Sequence, residues 1–353
     1  MGYLRFLLAA IVVISHSGGE IFGFKMMSGG VCVELFFIIS GFYMQYILEQ
    51  QNYALKINFY ISRFLRIFPL FVIVSFGFYS FDYLYEFLYS QKALVPKAVT
   101  YAENNSLLSI TRTLSNLFMF GQDIFSWFYV TPNGDIFFFK AQHLSGIDKS
   151  GLAWGGELRN NGPAWSIGVE IWFYLLVPFL FKMKSIFLVT ICVLSVFLKL
   201  YLINSIGLHV YFFFPSQFYL FILGMIARRF VMRFENKIGL GASILLMTLI
   251  IFFEYVHINS NLLRYFVLPF LLVLSINYMF TTTMHSKINR FIGDLSYPIY
   301  ITHSFIALLI PKILGYNSSI VFYLIVLLIS MLWVWKAELY INTIRWTIAK
   351  KQA

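Results

Sequence analysis

Apolar residues gather into long runs along this chain, of which Ile186–Leu198, Ile244–Phe253 and Ile320–Leu332 are the plainest. Short polar and basic clusters separate them. The hydrocarbon core of a bilayer takes about 20 mostly apolar residues per helix, so the pattern predicts many membrane helices rather than one large buried core. Ten spans follow from it, over residues 4–22, 31–48, 66–82, 164–181, 186–203, 211–227, 238–256, 262–280, 291–314 and 319–336. The expected fold is all-α, a polytopic integral membrane protein. Residues 113–130 are nearly apolar enough for an eleventh span, but Asn116, Gln122 and Asp123 interrupt them.

Charge sets the direction. With the N-terminus inside, the inner segments hold Lys56, Arg63 and Arg66, then Lys182 and Lys184, then Arg228, Arg229, Arg233 and Lys237. Lys287, Arg290 and a basic tail with Lys336, Arg345, Lys350 and Lys351 follow. Only Lys25, Lys199, Arg264 and Lys312 fall in or near the short outer loops, the asymmetry that the positive-inside rule describes. An eleventh span at 113–130 would invert every later cluster. Residues 83–163 are therefore expected to form one long outer segment, with both termini cytoplasmic. The organisation expected is a single transmembrane domain over 1–336 and a cytoplasmic basic tail over 337–353.

Composition agrees. Of 353 residues, 60% are hydrophobic and 12% charged, with a mean hydropathy of +0.78. Soluble chains run at about 45–50% apolar and about 25% charged. The net charge of +11 is read as topology-setting rather than as a nucleic-acid footprint. Cys32 and Cys192 sit inside apolar runs and are expected to be packed free thiols, with no metal site and no disulfide framework. The first run lacks a small-x-small cleavage site and carries Ser15, His16 and Ser17, so it is read as a membrane helix and not as a signal peptide.

Several polar residues interrupt these runs at informative spacings. Arg5 and His16 are eleven residues apart, about 16.5 Å and almost three turns of helix, which puts them on one face. An ionisable group at that depth is costly and is a functional candidate; positive-inside anchoring for Arg5 and an interhelical hydrogen bond for His16 are the structural alternatives. Glu34 lies at the outer edge of the second run, where solvation alone can account for it. Ser40 and Gly41 are small enough for close helix approach. Arg63 and Arg66 share a face at i and i+3, and their guanidinium forks match phosphate oxygens. Trp165 and Ser166 open the run in which Ser166, Glu170 and Tyr174 stack at i, i+4 and i+8, and Pro178 is expected to end that run. Ser296, Tyr300 and His303 likewise fall on one face, with Tyr297 and Pro298 between them.

Taken in order, Arg-x10-His, Phe-Phe-x-x-Ser-Gly, Arg-x-x-Arg, Trp-Ser-x-x-x-Glu and Ser-Tyr-x-x-Tyr-x-x-His make the chain resemble the acyltransferase-3 family of membrane acyltransferases, from the N-terminus to about residue 336. Glu34 stands where that family often has Asp, and Pro298 interrupts the last motif. The resemblance implies ten helices and transfer of an acyl group, usually acetyl, from cytoplasmic acyl-CoA. The usual acceptor is a hydroxyl of a bacterial surface polysaccharide (O-antigen, capsule or exopolysaccharide) or of its lipid-linked precursor. It implies that Arg5 and His16 are the essential pair, that Arg63 and Arg66 form an inner basic site, and that Glu170 and Tyr300 belong to the supporting set. No permanently bound cofactor is implied; acetyl-CoA is the donor substrate. A periplasmic esterase-like partner, where one operates, is expected as a separate protein.

On that basis Arg5, Arg63 and Arg66 are the expected CoA-phosphate ligands. His16 is expected as general base or transient acyl carrier, with Glu170 and Tyr300 as further catalytic candidates. Tyr297, Tyr300 and Ser166 are candidate oxyanion donors, and Glu34, Ser40, Trp165 and His303 complete the candidate set. A glycan flippase or other transporter is the rival reading, but transporters often show matched broken helices in two halves, and no such pairing is present.

Overall fold

The computed structural model describes residues 1–21, 23–50, 56–90, 96–138, 151–230, 236–256, 263–315 and 319–350. Arg233 and Lys351, named above among the basic clusters, lie outside these residues. In chain order the helices are α1 (Gly2–His16), α2 (Gly29–Gln50), α3 (Lys56–Tyr89), α4 (Lys97–Ala102), α5 (Ser106–Phe118), α6 (Trp165–Leu180) and α7 (Ser185–Ile206). They continue as α8 (Phe214–Phe230), α9 (Asn236–Ile251), α10 (Leu268–Thr283), α11 (Lys287–Asp294), α12 (Ser296–Leu314), α13 (Ser319–Trp333) and α14 (Leu339–Lys350). Strands are few: a hairpin of β1 (Glu20–Ile21) and β2 (Phe24–Lys25), and an antiparallel sheet of β3 (Phe128–Val130), β4 (Ile136–Phe138) and β5 (Ala153–Trp154) in the order β4-β3-β5.

Helix occupies most of the described residues in each of the ten predicted runs. Six helical segments among the described residues are long and apolar enough to cross a membrane: Gly29–Gln50, Ile57–Tyr89, Gly162–Leu180, Ser185–Ile203, Leu263–Thr283 and Ile320–Arg345. The stretch 113–130 holds the end of α5, a 13-residue helix that stops at Met119 with φ 56°, then a 3-10 turn over Ile124–Trp127 and strand β3.

Boundaries differ from the expected ones for identifiable reasons. Helix α1 stops at His16 and not near 22, because Gly18 and Gly19 take φ of +119° and +78°, a region open to glycine. There the Ser17 and Gly19 N–H groups both end on the Ile14 carbonyl, at 3.0 and 2.9 Å. Helix α3 has 34 residues, about 51 Å of rise, against the 17 expected. Pro178, expected to end its run, lies inside α6, which continues to Leu180. The run 291–314 is split at Leu295. Pro298 then falls in the first turn of α12, where an N–H has no partner within the helix to lose.

The chain forms two compact units, Met1–Ser62 with Leu176–Val193 and Phe218–Ala353, and Arg63–Leu175 with Leu194–Gln217. In the first, α1 packs against α2, α11 and α12. Ala9 and Val13 of α1 meet Leu295, Ile299, Ile306 and Ile310 on the α12 side and Phe322, Val326 and Val334 beyond. Helices α2 and α8 approach so closely that glycine is required twice. A Cβ on Gly41 would stand 1.9 Å from the Phe221 carbonyl oxygen, and one on Gly224 would stand 2.0 Å from that of Ile38.

In the second unit, the described residues of 97–138 and 151–164 fold around Ala98, Leu108, Phe125, Phe128, Val130 and Leu158. Helix α5 turns its polar face inward. Arg112 donates to the Leu158 carbonyl (3.2 Å) and to Asn160 Oδ1 (2.9 Å), and Asn116 donates to the same carbonyl at 2.9 Å. Leu107, Ile110, Leu114 and Phe118 face outward on the opposite stripe. Beside this helix Asp123 is fully buried, and neither carboxylate oxygen has a hydrogen-bond partner of good geometry among the described residues. Its backbone and carboxylate press against Gly168 of α6, where a Cβ would lie 2.7 Å from Oδ1. Burial pushes the Asp123 carboxyl up from 3.8 to about 6, and nearby backbone N–H groups, the Trp172 indole and the Arg159 charge only soften that cost.

Two predictions follow from this packing. Gly41→Ala should lower thermal stability in detergent sharply, by several degrees in Tm, because a backbone carbonyl cannot yield to the new methyl group. Gly241→Ala, with open space around it, is the matched control and should be neutral or slightly stabilising; equal Tm in the two variants would refute the close approach. For Asp123, the folded chain holds its proton more tightly than the unfolded chain does. Stability should therefore fall as pH rises from 3.8 to about 6, by at most ~3 kcal/mol. Melting Asp123→Asn and the parent chain across that range checks this: the variant should lose the decline and be the more stable protein at neutral pH, and an unchanged pH profile would rule it out.

Candidate active site

The end of α1 is where ionisable chemistry concentrates in the first unit. His16 occupies the last turn of the helix and is exposed. Ser17 follows, its hydroxyl bonding the Val13 and Ile14 carbonyls (both 3.1 Å) and the Tyr323 hydroxyl (2.5 Å). These bonds anchor the helix end beside His16. Facing it from α12 is His303, only 1% exposed. The two rings are nearly parallel, at 18°, with centroids 5.0 Å apart.

Hydrogen-bond directions in this pair follow from what each atom is able to do. The Tyr300 carbonyl only accepts, so His303 donates its Nδ1–H to it, over 2.7 Å. In its neutral form His303 then presents a lone pair at Nε2. His16 Nδ1 lies 3.1 Å from that nitrogen and is the donor. The proton of His16 is thereby assigned to Nδ1, and the lone pair to Nε2. This is the tautomer a general base needs, held from behind by a buried orienting group.

Arg5 and His16 do share a face of α1. Between them on that face Ala9 and Val12 are fully packed, at 0% and 1% exposure. The Arg5 guanidinium lies over the Tyr43 ring at 5.7 Å. Glu34 is not solvated as the sequence allowed: it is buried, and Arg264 Nε donates to its Oε2 at 2.7 Å. Arg264 sits on a π-helical turn, Leu263–Val267. Ser40 is half-buried one residue before the glycine contact with α8. Ser296 bonds the Gly293 carbonyl at 2.7 Å, Tyr297 is half-buried, and the Tyr300 ring stands edge-on to His303 at 6.0 Å.

In the second unit, Arg63 is buried and Arg66 half-buried on α3. Both act electrostatically on Tyr174, whose hydroxyl donates to Glu170 Oε1 at 2.5 Å. Four of the expected polar residues are thus one charged cluster, two cations with a carboxylate and a phenol. Ser166 donates to the Pro163 carbonyl at 3.1 Å. Trp165 packs between Tyr211 and Phe212, with centroids 4.5 and 4.9 Å away.

Sequence reasoning put His303 in a minor place and missed Arg264 as the partner of Glu34. The shared face of Tyr300 and His303 was available from spacing; the link to His16 spans 287 residues and was not.

No characterised protein and no solved structure matches the chain. Residues 1–337 match the family described as an acyltransferase domain. Six span-length apolar helices and a match over almost the whole chain have one reading: this multi-pass membrane protein belongs to the acyltransferase-3 family and is an acyltransferase.

Proposed function

We propose that the protein moves an acetyl group from acetyl-CoA to a hydroxyl of a bacterial surface polysaccharide or its lipid-linked precursor, from a ten-helix fold in the cytoplasmic membrane with both termini inside. The observation that carries the catalytic part is the His16–His303 pair. His16 Nε2 takes the acceptor's hydroxyl proton as the oxygen attacks the thioester carbonyl. The carbon–sulfur bond then breaks, CoA leaves as thiolate, and the proton passes from the imidazolium to the sulfur. While the imidazolium exists, the partial negative charge at the C-terminal end of α1 favours it, and His303 keeps the ring aligned. A lone pair held at Nε2 serves a base and a transient acyl carrier alike; the base role is the one proposed.

Arg63 and Arg66 serve as the phosphate-binding element for CoA, held in their charged geometry beside Glu170 and Tyr174. The phenol of Tyr174 is committed to that carboxylate, which makes the pair a brace for the cationic face. The polysaccharide acceptor and the acetyl donor rest on the family resemblance. The ring cluster of Trp154, Trp165, Tyr211 and Phe212 offers apolar faces of the kind sugars stack on.

O-acetyl content of the surface glycan, measured by mass in cells expressing each variant at matched membrane levels, tests this reading. His16→Ala should reduce acetylation by ~10²–10⁴-fold. His303→Leu should cost less, about 10- to 100-fold, since it frees the tautomer without removing the base. His303→Gln should fall between that variant and the parent, because its amide donates to Tyr300 and accepts from His16. A well-expressed His16→Ala variant with normal acetylation would end the assignment.

A further inference from the structure

The family match ends at residue 337, inside a π-helical turn over Val334–Glu338, and the chain continues past it as α14. Glu338, Asn342 and Arg345 stand at i, i+4 and i+7, one helix face. That face is polar and turned inward: Glu338 is buried, while Leu339 and Tyr340 on the other side are 61% and 70% exposed. Arg345 is the hub. Its Nη1 donates to Asn342 Oδ1 at 2.6 Å and lies 4.0 Å from Glu338 Oε1. Its Nε donates to the backbone carbonyl of Ser62 at 3.0 Å, with the Ser62 hydroxyl at 3.4 Å.

Ser62 is buried in the second turn of α3, directly before Arg63. In an α-helix the carbonyl of residue 62 also receives the N–H of residue 66, and a carbonyl has two lone pairs to give. Arg345 thus grips the peptide group shared by the turn that carries Arg63 and Arg66. Asn342 on α14 and Glu338 on the π-helical turn fix the Arg345 guanidinium in turn, leaving it little rotamer freedom to lose when the turn is used.

We propose that Glu338, Asn342 and Arg345 are positioning residues for the donor-binding arginines, so that affinity for acyl-CoA depends on a helix outside the acyltransferase domain proper. The inference rests on the reading of Arg63 and Arg66 as the CoA-phosphate element. Arg345 acts through the backbone of α3 and is assigned no contact with substrate.

Calorimetric titration of the purified full chain with acetyl-CoA, paired with transfer rates at saturating acetyl-CoA, tests it. Arg345→Ala should weaken acetyl-CoA binding about tenfold, the scale of one lost charged hydrogen bond, and leave the saturated rate near that of the parent. Arg345→Lys should recover part of the loss, because one ammonium can still reach Ser62. Asn342→Ala removes only the brace, keeps the protein foldable where Arg345→Ala fails to fold, and should weaken binding about threefold. Unchanged acetyl-CoA affinity in Arg345→Ala, or in Asn342→Ala if the former is unfolded, would overturn the proposal. Equal losses in affinity and saturated rate would overturn it too, as a general structural effect. Arg63→Ala and Arg66→Ala separate the two levels: if they bind acetyl-CoA normally, the donor reading itself falls and the positioning role with it. If they bind weakly while Arg345→Ala does not, only the positioning role is lost.

Discussion

A polar group placed among apolar helices has no water to turn to, so each one must find its partner inside the protein or go unsatisfied at a cost of several kcal/mol. That constraint organises this molecule. Hydroxyls on its apolar helices bond back to the carbonyl a turn earlier, as Ser243 does to Gly239, Thr302 to Pro298 and Ser330 to Val326. Carboxylates meet guanidinium groups: Glu34 with Arg264, Glu49 with Arg228 at 2.7 Å. His303 follows the same rule twice, giving its proton to a carbonyl and its lone pair to a second histidine. The catalytic geometry proposed for His16 comes from satisfying its buried neighbour, so stability and chemistry are set by the same bonds.

The apolar runs were legible because a bilayer imposes one crude requirement, length at high hydropathy, and helix fills most of the described part of each run. Helix ends were less legible. Gly18 and Gly19 were a readable stop signal after His16, but the run of hydropathy overrode it. The extension of α3 to Tyr89 was hidden by Asp82 and Glu86, which lower the local hydropathy without disturbing the helix. Pro178 failed as a stop because its ring replaces only one ladder bond near a helix end that is already packed. The small sheet of β3, β4 and β5 has strands of two or three residues, too short for alternation to register.

For the candidate site the order of motifs was readable and the pairing was not. Spacing put Tyr300 and His303 on one face and Glu170 and Tyr174 on another, since a helix converts sequence distance into angle. No such rule relates α1 to α12 or α2 to the π turn that carries Arg264. Those contacts depend on which helices the close glycine approaches and the apolar core bring together. Asp123 is the opposite case. Its polarity correctly argued against a span at 113–130, yet nothing in the sequence said that the carboxylate would be buried against a glycine of α6.

The two polar clusters differ in how they hold charge, and the difference bears on what each can do. Around Arg63 and Arg66 a carboxylate and a phenol lie close, so the local charge is partly balanced before any ligand arrives. A phosphate entering such a site replaces water around cations that are already fixed, which limits the ordering cost of binding. No carboxylate is among the hydrogen-bond partners of His16 in the described residues, which face it with the His303 ring at the end of a helix. A carboxylate there would favour a standing imidazolium, which has no lone pair to offer. A neutral histidine orients His16 without that penalty, and the fractional charge at the end of α1 responds only once a proton has been taken. That combination suits a thioester donor, which is activated already and needs its acceptor deprotonated for no longer than the transfer lasts.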